Sequence, residues 1–418
     1  MVDWTRTRIP AMLVAALVWA TGCATASQPL AYGPRKQLAQ PPSVQTHEVA
    51  SRDCSRRPLF EDRWVQEAFD EHMRRHPLLA RTGQWRNQST FPEVVPQAER
   101  LGGIECLPRL QTLTLKGSRV GDLAPLAQLH LLRVLDLTGT KVTDLRPLAG
   151  LRELREIRLA GTKVADLGPL SQLAELRYLR LEGTAVRDLA PLADLRKLES
   201  LDLRATNVSD LGPLSGLARL QWLGLSGTQV RDLGPLSRLA ELQTLFLDRT
   251  MVTDLASLAG LTKLRRLHLD ATPVANLGPL AALPELAELH LERTPVSDLE
   301  PLAALPRLRH LFLGGTSVSD IGPLSGLLTL RRLALESTAV SDLRPLVNLA
   351  GLVQLRLTGT RVADLTPLTK MRSLGSLHIT STAVDCARQA ETIQWLARRT
   401  ALLLSDCTPP PGAAPHRP

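Results

Sequence analysis

Aromatic residues are scarce in this 418-residue chain, at 3%, and the chain has five cysteines. A core built on ring packing is therefore excluded, and aliphatic side chains must fill the interior. The cysteines, Cys23, Cys54, Cys106, Cys386 and Cys407, include no C-x-x-C pair, which argues against a structural zinc site. The chain has no glycine-rich phosphate loop and no G-x-S-x-G elbow, so nucleotide and serine-hydrolase chemistry have no support in the sequence. Apart from Ile9–Ala20, no apolar run approaches the length that crosses a bilayer.

What is abundant is leucine at fixed intervals. Residues 135–154 read LDLTGTKVTDLRPLAGLREL, and the pattern Leu-x-Leu-x-x-Thr-x-Val-x-Asp-Leu-x-Pro-Leu-x-x-Leu-x-x-Leu returns every 22 residues from Leu113 to Leu377 without an insertion. A fixed period of this kind marks a solenoid, in which each unit packs only on its neighbours. Leu-x-Leu has period two, so it predicts a short strand with both leucines inward. Leu148, Leu151 and Leu154 are spaced by three, which predicts a 3₁₀-like return rather than a full α-helix. Pro147 suits the first turn of that return, where its missing N–H would be unpaired anyway. The repeated Thr (Thr140 to Thr382, with Ser118 in the first copy) is a buried hydroxyl that needs a partner. The expected partner is the backbone of a neighbouring coil. A residue present in every coil meets a need of every coil, so these threonines are not read as nucleophiles. The repeated Asp (Asp122 to Asp364, with Asn276 the exception) is read as a turn residue accepting backbone N–H groups.

The positions flanking each leucine are free to vary and should face outward from the sheet. Thirteen strands at ~4.8 Å each would give an arc of roughly 60 Å. The repeat body has four aromatics, Tyr178, Trp222, Phe246 and Phe312, and all four fall in these columns. So do His268, His290, His310 and His378, and the arginines Arg158, Arg180, Arg332 and Arg356. Aromatic residues and arginine are what binding hot spots favour. Phe246, His268, His290 and Phe312 should stack as one stripe on adjacent strands. The candidate partner-binding set is thus Arg158, Tyr178, Arg180, Trp222, Phe246, His268, His290, His310, Phe312, Arg332 and Arg356. The alternative is cross-strand packing that only stabilises the sheet. His268-Leu269-Asp270 beside His290-Leu291-Glu292 would bring together donors that zinc uses. Histidine–carboxylate pairing is the preferred reading, and no metal, cofactor or catalytic residue is assigned. Partner affinity is expected to change between about pH 5 and 7.5 as the histidines titrate.

The ends differ in composition. Residues 1–22 have Arg6 and Arg8 before the apolar run, as a signal peptide does. Ala20-Thr21-Gly22-Cys23 resembles a lipoprotein cleavage box, which makes Cys23 the expected lipidation site. Ala24-Thr25-Ala26 is the competing site, and would give a secreted or periplasmic protein. Residues 23–50 read as a flexible tether. Residues 51–110 read as a helical N-terminal cap with a helix over 60–75, its aromatics plugging the open core. Residues 111–384 hold thirteen units, residues 385–407 a C-terminal cap, and residues 408–418 a disordered tail. Export favours disulfides, and Cys54–Cys106 with Cys386–Cys407 is the economical pairing.

The 22-residue unit with its Leu-x-Pro-Leu return resembles the internalin-type leucine-rich repeats of bacterial surface proteins. The resemblance implies an α/β solenoid: a horseshoe with a concave parallel β-sheet and short 3₁₀-type convex segments, capped at both ends. It also implies a non-catalytic protein that binds a protein or peptide across the concave face. With the N-terminal features, the expectation is a lipid-anchored, monomeric leucine-rich repeat lipoprotein of the bacterial cell envelope, touching the membrane through its N-terminal lipid only. A structural envelope spacer is the alternative. Nucleic acid is not expected, because the column after the second leucine is acidic (Asp248, Asp270, Glu292, Glu336) despite a net charge of +9.

Overall fold

A computed structural model describes residues 54, 59–75, 90–91 and 97–403. The expected signal peptide, tether and tail, together with Cys23, Trp85 and Cys407, lie outside the described residues. Within them is one parallel sheet of fourteen strands in sequence order, open at both ends. The first seven are β1 (Thr112–Thr114), β2 (Val134–Asp136), β3 (Glu156–Arg158), β4 (Tyr178–Arg180), β5 (Ser200–Asp202), β6 (Trp222–Gly224) and β7 (Thr244–Phe246). The rest are β8 (Arg266–His268), β9 (Glu288–His290), β10 (His310–Phe312), β11 (Arg332–Ala334), β12 (Gln354–Arg356), β13 (Ser376–His378) and β14 (Ala401–Leu403). From β1 to β13 each residue pairs with the one 22 positions on, as Leu113 with Leu135 and Leu355 with Leu377.

Each strand is centred on the first leucine of its unit, one residue earlier than the Leu-x-Leu pattern suggests. The second leucine follows the strand and is still fully buried, as Leu137 and Leu159 are. The return is a 3₁₀ segment, Arg146–Leu148 in the second coil, with proline in its first turn. Leu148, Leu151 and Leu154 are all fully buried, so spacing by three does place them on one inward edge. At ~1.5–3 kcal/mol per fully buried leucine, this aliphatic column supplies most of the favourable free energy.

The threonines are buried as expected, but their partner is different. Thr140 Oγ1 donates to the carbonyl of Leu137 in its own coil at 2.8 Å, and the same bond recurs from Thr162 to Thr382. The hydroxyl therefore closes a local turn and makes no row between coils. The physical reason is reach, since a threonine side chain meets the carbonyl three residues back before any neighbouring coil. The aspartates act as expected: Asp144 Oδ1 accepts from the Arg146 N–H at 2.9 Å, Asn276 serves Gly278 the same way, and Asp364 serves Thr366.

The residue before each threonine is left-handed in every coil. Seven of these positions are glycine, from Gly117 to Gly359, and the others are Ala205, Arg249, Ala271, Arg293, Ser337 and Ser381, with φ between 53° and 58°. The turn imposes this conformation whichever residue occupies it.

The caps are local variations on the same scheme. Helix α1 (Arg63–Arg75) starts three residues after the expected position, because Asp62 Oδ1 accepts from the N–H groups of Trp64 and Val65. Phe60, Phe69 and Phe91 pack against one another over the first coil, with ring centroids 5.1–6.2 Å apart. Trp64 does not join them. It is exposed, with Arg63 over its ring. Cys54 and Cys106 form a disulfide with Cα atoms 5.6 Å apart. At the other end, within the expected cap, helix α2 (Ala390–Ala397) buries Ile393 and Leu396. Strand β14 then adds to β13. Cys386 is disulfide-bonded, with its partner outside the described residues. Among the described residues no helix is long and apolar enough to cross a membrane.

A left-handed residue with a Cβ is strained by roughly 1–2 kcal/mol, partly offset because glycine loses about 0.5–1 kcal/mol more entropy on folding. Ala271→Gly is therefore expected to stabilise the chain by about 0.5–1 kcal/mol, and Gly161→Ala to destabilise it by a similar amount. Urea unfolding followed by circular dichroism measures both, and a destabilised Ala271→Gly would contradict the assignment of strain to this turn.

Candidate functional site

The strand flanks form the outer face of the sheet, and the rings gather in its middle. Phe246, His268, His290 and Phe312 are the last residues of β7 to β10 and stand in register. Their ring centroids are 4.3, 3.9 and 4.1 Å apart in order, and the two imidazoles lie within 12° of parallel. These spacings are shorter than the ~4.8 Å between strands. Side chains on this face thus converge, as they do on the inside of an arc.

Trp222 extends the stripe by a route the columns do not reveal. It is the first residue of β6 and pairs with Thr244, not with Phe246. Its indole lies across Gly224, where an added Cβ would come within 2.7 Å of the ring. In that position it reaches Phe246, with centroids 5.3 Å apart. Arg204, which the sequence reading did not select, lies over the indole at 5.7 Å and binds Asp202 with two nitrogens, at 2.7 and 2.9 Å. An arginine one coil before a tryptophan was the available signal.

Charge surrounds the stripe. Glu288 is the carboxylate at its centre. Its Oε1 is 3.0 Å from His290 Nε2 and 3.8 Å from His268 Nε2, and its Oε2 is 3.9 Å from His310 Nδ1. The hydrogen bond with His290 holds Glu288 below the usual carboxylate range despite burial. Sequence reasoning looked to Asp270 and Glu292 and missed Glu288, although positions 288 and 290 must share a face of one strand. Asp270 does approach the pair, with Oδ2 3.8 Å from His290 Nδ1. Burial, reinforced by the charges of Asp248 and Glu292, pushes Asp270 up to about 6. Burial and the neighbouring His290 push His268 down to about 4, and burial also lowers His310. Burial thus biases His268 toward its neutral form across the window from pH 5 to 7.5 in which titration is expected.

The remaining candidates lie on either side. Arg158 on β3 is held by Glu156 at 2.6 Å and Asp136 at 3.2 Å. Tyr178 on β4 is exposed, and its hydroxyl donates to Glu199 at 3.0 Å. Arg180 and Arg332 are exposed on β4 and β11. Arg356 on β12 is 3.6 Å from Glu336. The structure thus brings Trp222, Phe246, His268, His290, His310 and Phe312 together and sets the arginines and Tyr178 around them.

Residues 109–270 match the family profile of a leucine-rich repeat region. The sheet and its 3₁₀ returns have the architecture of a leucine-rich repeat solenoid. An internalin from Listeria monocytogenes has a similar structure, with 27% identity and a TM-score of 0.68 over 82% of this chain and 97% of that one. A leucine-rich repeat protein of Leptospira interrogans shares the fold at 20% identity and a TM-score of 0.65, over 78% and 98% of the two chains. A plant peptide hormone receptor in complex with RGF2 shares it at 15% identity and a TM-score of 0.60, over 75% and 57%. No curated protein matches by sequence. The repeated letters are accounted for by the coil itself, and the ring stripe lies at positions the coil leaves free to vary.

Gly224→Ala is expected to push the Trp222 indole off its neighbour, because the added Cβ would come within 2.7 Å of the ring and 2.9 Å of Asp202 Oδ1, both side-chain atoms. The readout is a change in tryptophan emission that disappears in a Trp222→Phe background. Unchanged emission would contradict the packing described.

Proposed function

We propose that this leucine-rich repeat protein is a non-catalytic binding protein that takes a protein or peptide ligand on the outer face of β4 to β12. The observation that carries the reading is the continuous stripe of five rings from Trp222 to Phe312, flanked by exposed Tyr178, Arg180 and Arg332. Flat, rigid rings in the middle of a polar rim are the composition of a recognition surface. The repeated threonine hydroxyls are engaged with their own carbonyls, which supports a scaffold role over a nucleophilic one. The acidic residues Asp248, Asp270, Glu292 and Glu336 along the face disfavour phosphate backbones, so nucleic acid is not the proposed ligand.

The proposed setting is a bacterial cell envelope. The chain is exported as a monomer and held by lipid on Cys23, with the outer membrane as the proposed location. The disulfide between Cys54 and Cys106 supports an oxidising compartment, and the Ala20-Thr21-Gly22-Cys23 box supports the anchor. A second reading, a structural spacer, draws on the half-buried rings covering one another, which is also how cross-strand pairs stabilise a sheet.

The two readings separate on one variant, Trp222→Ala/Phe246→Ala/Phe312→Ala. The binding reading predicts loss of captured envelope or extracellular partners with a modest change in melting. Full capture by the variant, or a collapse in stability without any partner for the wild type, would favour the spacer. For the anchor, Cys23→Ser is expected to abolish acylation and move the protein from the detergent to the aqueous phase. A mature N-terminus at Ser27 without lipid would contradict it.

A further inference from the structure

The densest group of metal-ligating atoms among the described residues lies in the middle of the stripe. One donor atom each from His268, Glu288 and His290 lies within 4.8 Å of the others. Glu288 Oε1 is shared, at 3.0 Å from His290 Nε2 and 3.8 Å from His268 Nε2. In a tetrahedral zinc site, bonds of about 2.0–2.1 Å put neighbouring nitrogen and oxygen donors roughly 3.3 Å apart. The observed separations fall on either side of that value.

The surroundings have the form of an outer shell. A ligating histidine ordinarily has its second ring nitrogen directed at a carboxylate, which fixes the ring and its tautomer. Here His290 has Nε2 toward Glu288 and Nδ1 toward Asp270 Oδ2 at 3.8 Å. His310 Nδ1 stands 3.9 Å from the other Glu288 oxygen. We propose that His268, Glu288 and His290 bind one divalent transition-metal ion of the zinc type, with Asp270 and His310 orienting His290 and Glu288.

Two imidazoles and a carboxylate select zinc, copper or nickel over calcium and magnesium, which require a shell of oxygens. Three protein ligands leave a further coordination position for water or a ligand atom, on the outer face of the sheet. The two rings are nearly parallel and 3.9 Å apart, so their in-plane lone pairs do not converge. Loading therefore turns one imidazole about χ2 and breaks the central contact of the stripe. The proposal does not depend on the face binding a protein.

The test is calorimetric titration of the purified, chelator-stripped full chain with Zn²⁺, paired with Co²⁺ titration read by visible absorption. The expected result is one ion per chain and a Co²⁺ spectrum of low, four-coordinate symmetry. Glu288→Gln and His290→Ala should each weaken Zn²⁺ binding by at least about tenfold, and Asp270→Asn by about tenfold. His378→Ala, on distant β13, should leave binding unchanged. Phe246→Ala disturbs the stripe but removes no donor, so it should keep the site. Glu288→Gln preserves shape and covers the case in which a histidine variant fails to fold. The proposal is overturned if the wild type takes up no Zn²⁺, if Glu288→Gln binds it as the wild type does, or if His378→Ala is the variant that loses it.

Discussion

Every feature of this molecule depends on the in-register pairing of each residue with the one 22 positions later. Parallel strands are weak when alone, and a three-residue strand has little to hold it. What fixes the register is the leucine column beneath, because a slip of one residue would turn Leu113, Leu135 and their successors out of the core. Once that register holds, each coil faces the same local requirements. The threonine ties its turn to the carbonyl three residues back, the aspartate anchors the start of the 3₁₀ return, and the residue before the threonine adopts left-handed geometry. The letters that repeat are those the coil itself demands.

The same register gives the outer face its chemistry. Side chains that are 22 residues apart in sequence become neighbours in a ladder, so four single choices at 246, 268, 290 and 312 produce a continuous stack. Such contacts are worth about 0.5–1.5 kcal/mol each beyond the area they bury, enough to order the rings before any ligand arrives. Glu288 inserts a carboxylate between three imidazoles, and its hydrogen bond to His290 keeps it ionised. The stripe is thus apolar along its faces and charged along one edge.

The sequence carried the architecture because periodicity reports directly on burial. The leucine spacing by three led to the 3₁₀ return, and the ladder of Phe246, His268, His290 and Phe312 followed from counting. What escaped was decided by side-chain direction. The threonine hydroxyl needed a partner, but spacing does not say whether that lies in its own coil or the next. Trp222 sits in a different column from Phe246, and its contact exists only because Gly224 leaves room for the indole. Glu288 joins His290 because residues two apart on β9 share a face, a relation that the His-x-acid spacing of Asp270 and Glu292 does not contain. Trp64 lies outward because Val65, Phe69 and Met73, spaced by four, form the buried face of α1 and Trp64 falls beside that stripe.

The central claim is that the ligand meets the sheet face over the stripe and not the 3₁₀ side. Site-specific photo-crosslinking tests it most directly, with a photoreactive residue placed at exposed Arg266 on β8 or at exposed Ala282 in the 3₁₀ return of the same coil. The account predicts covalent capture of partner from position 266 and none from position 282. Capture from 282 with none from 266 would contradict it.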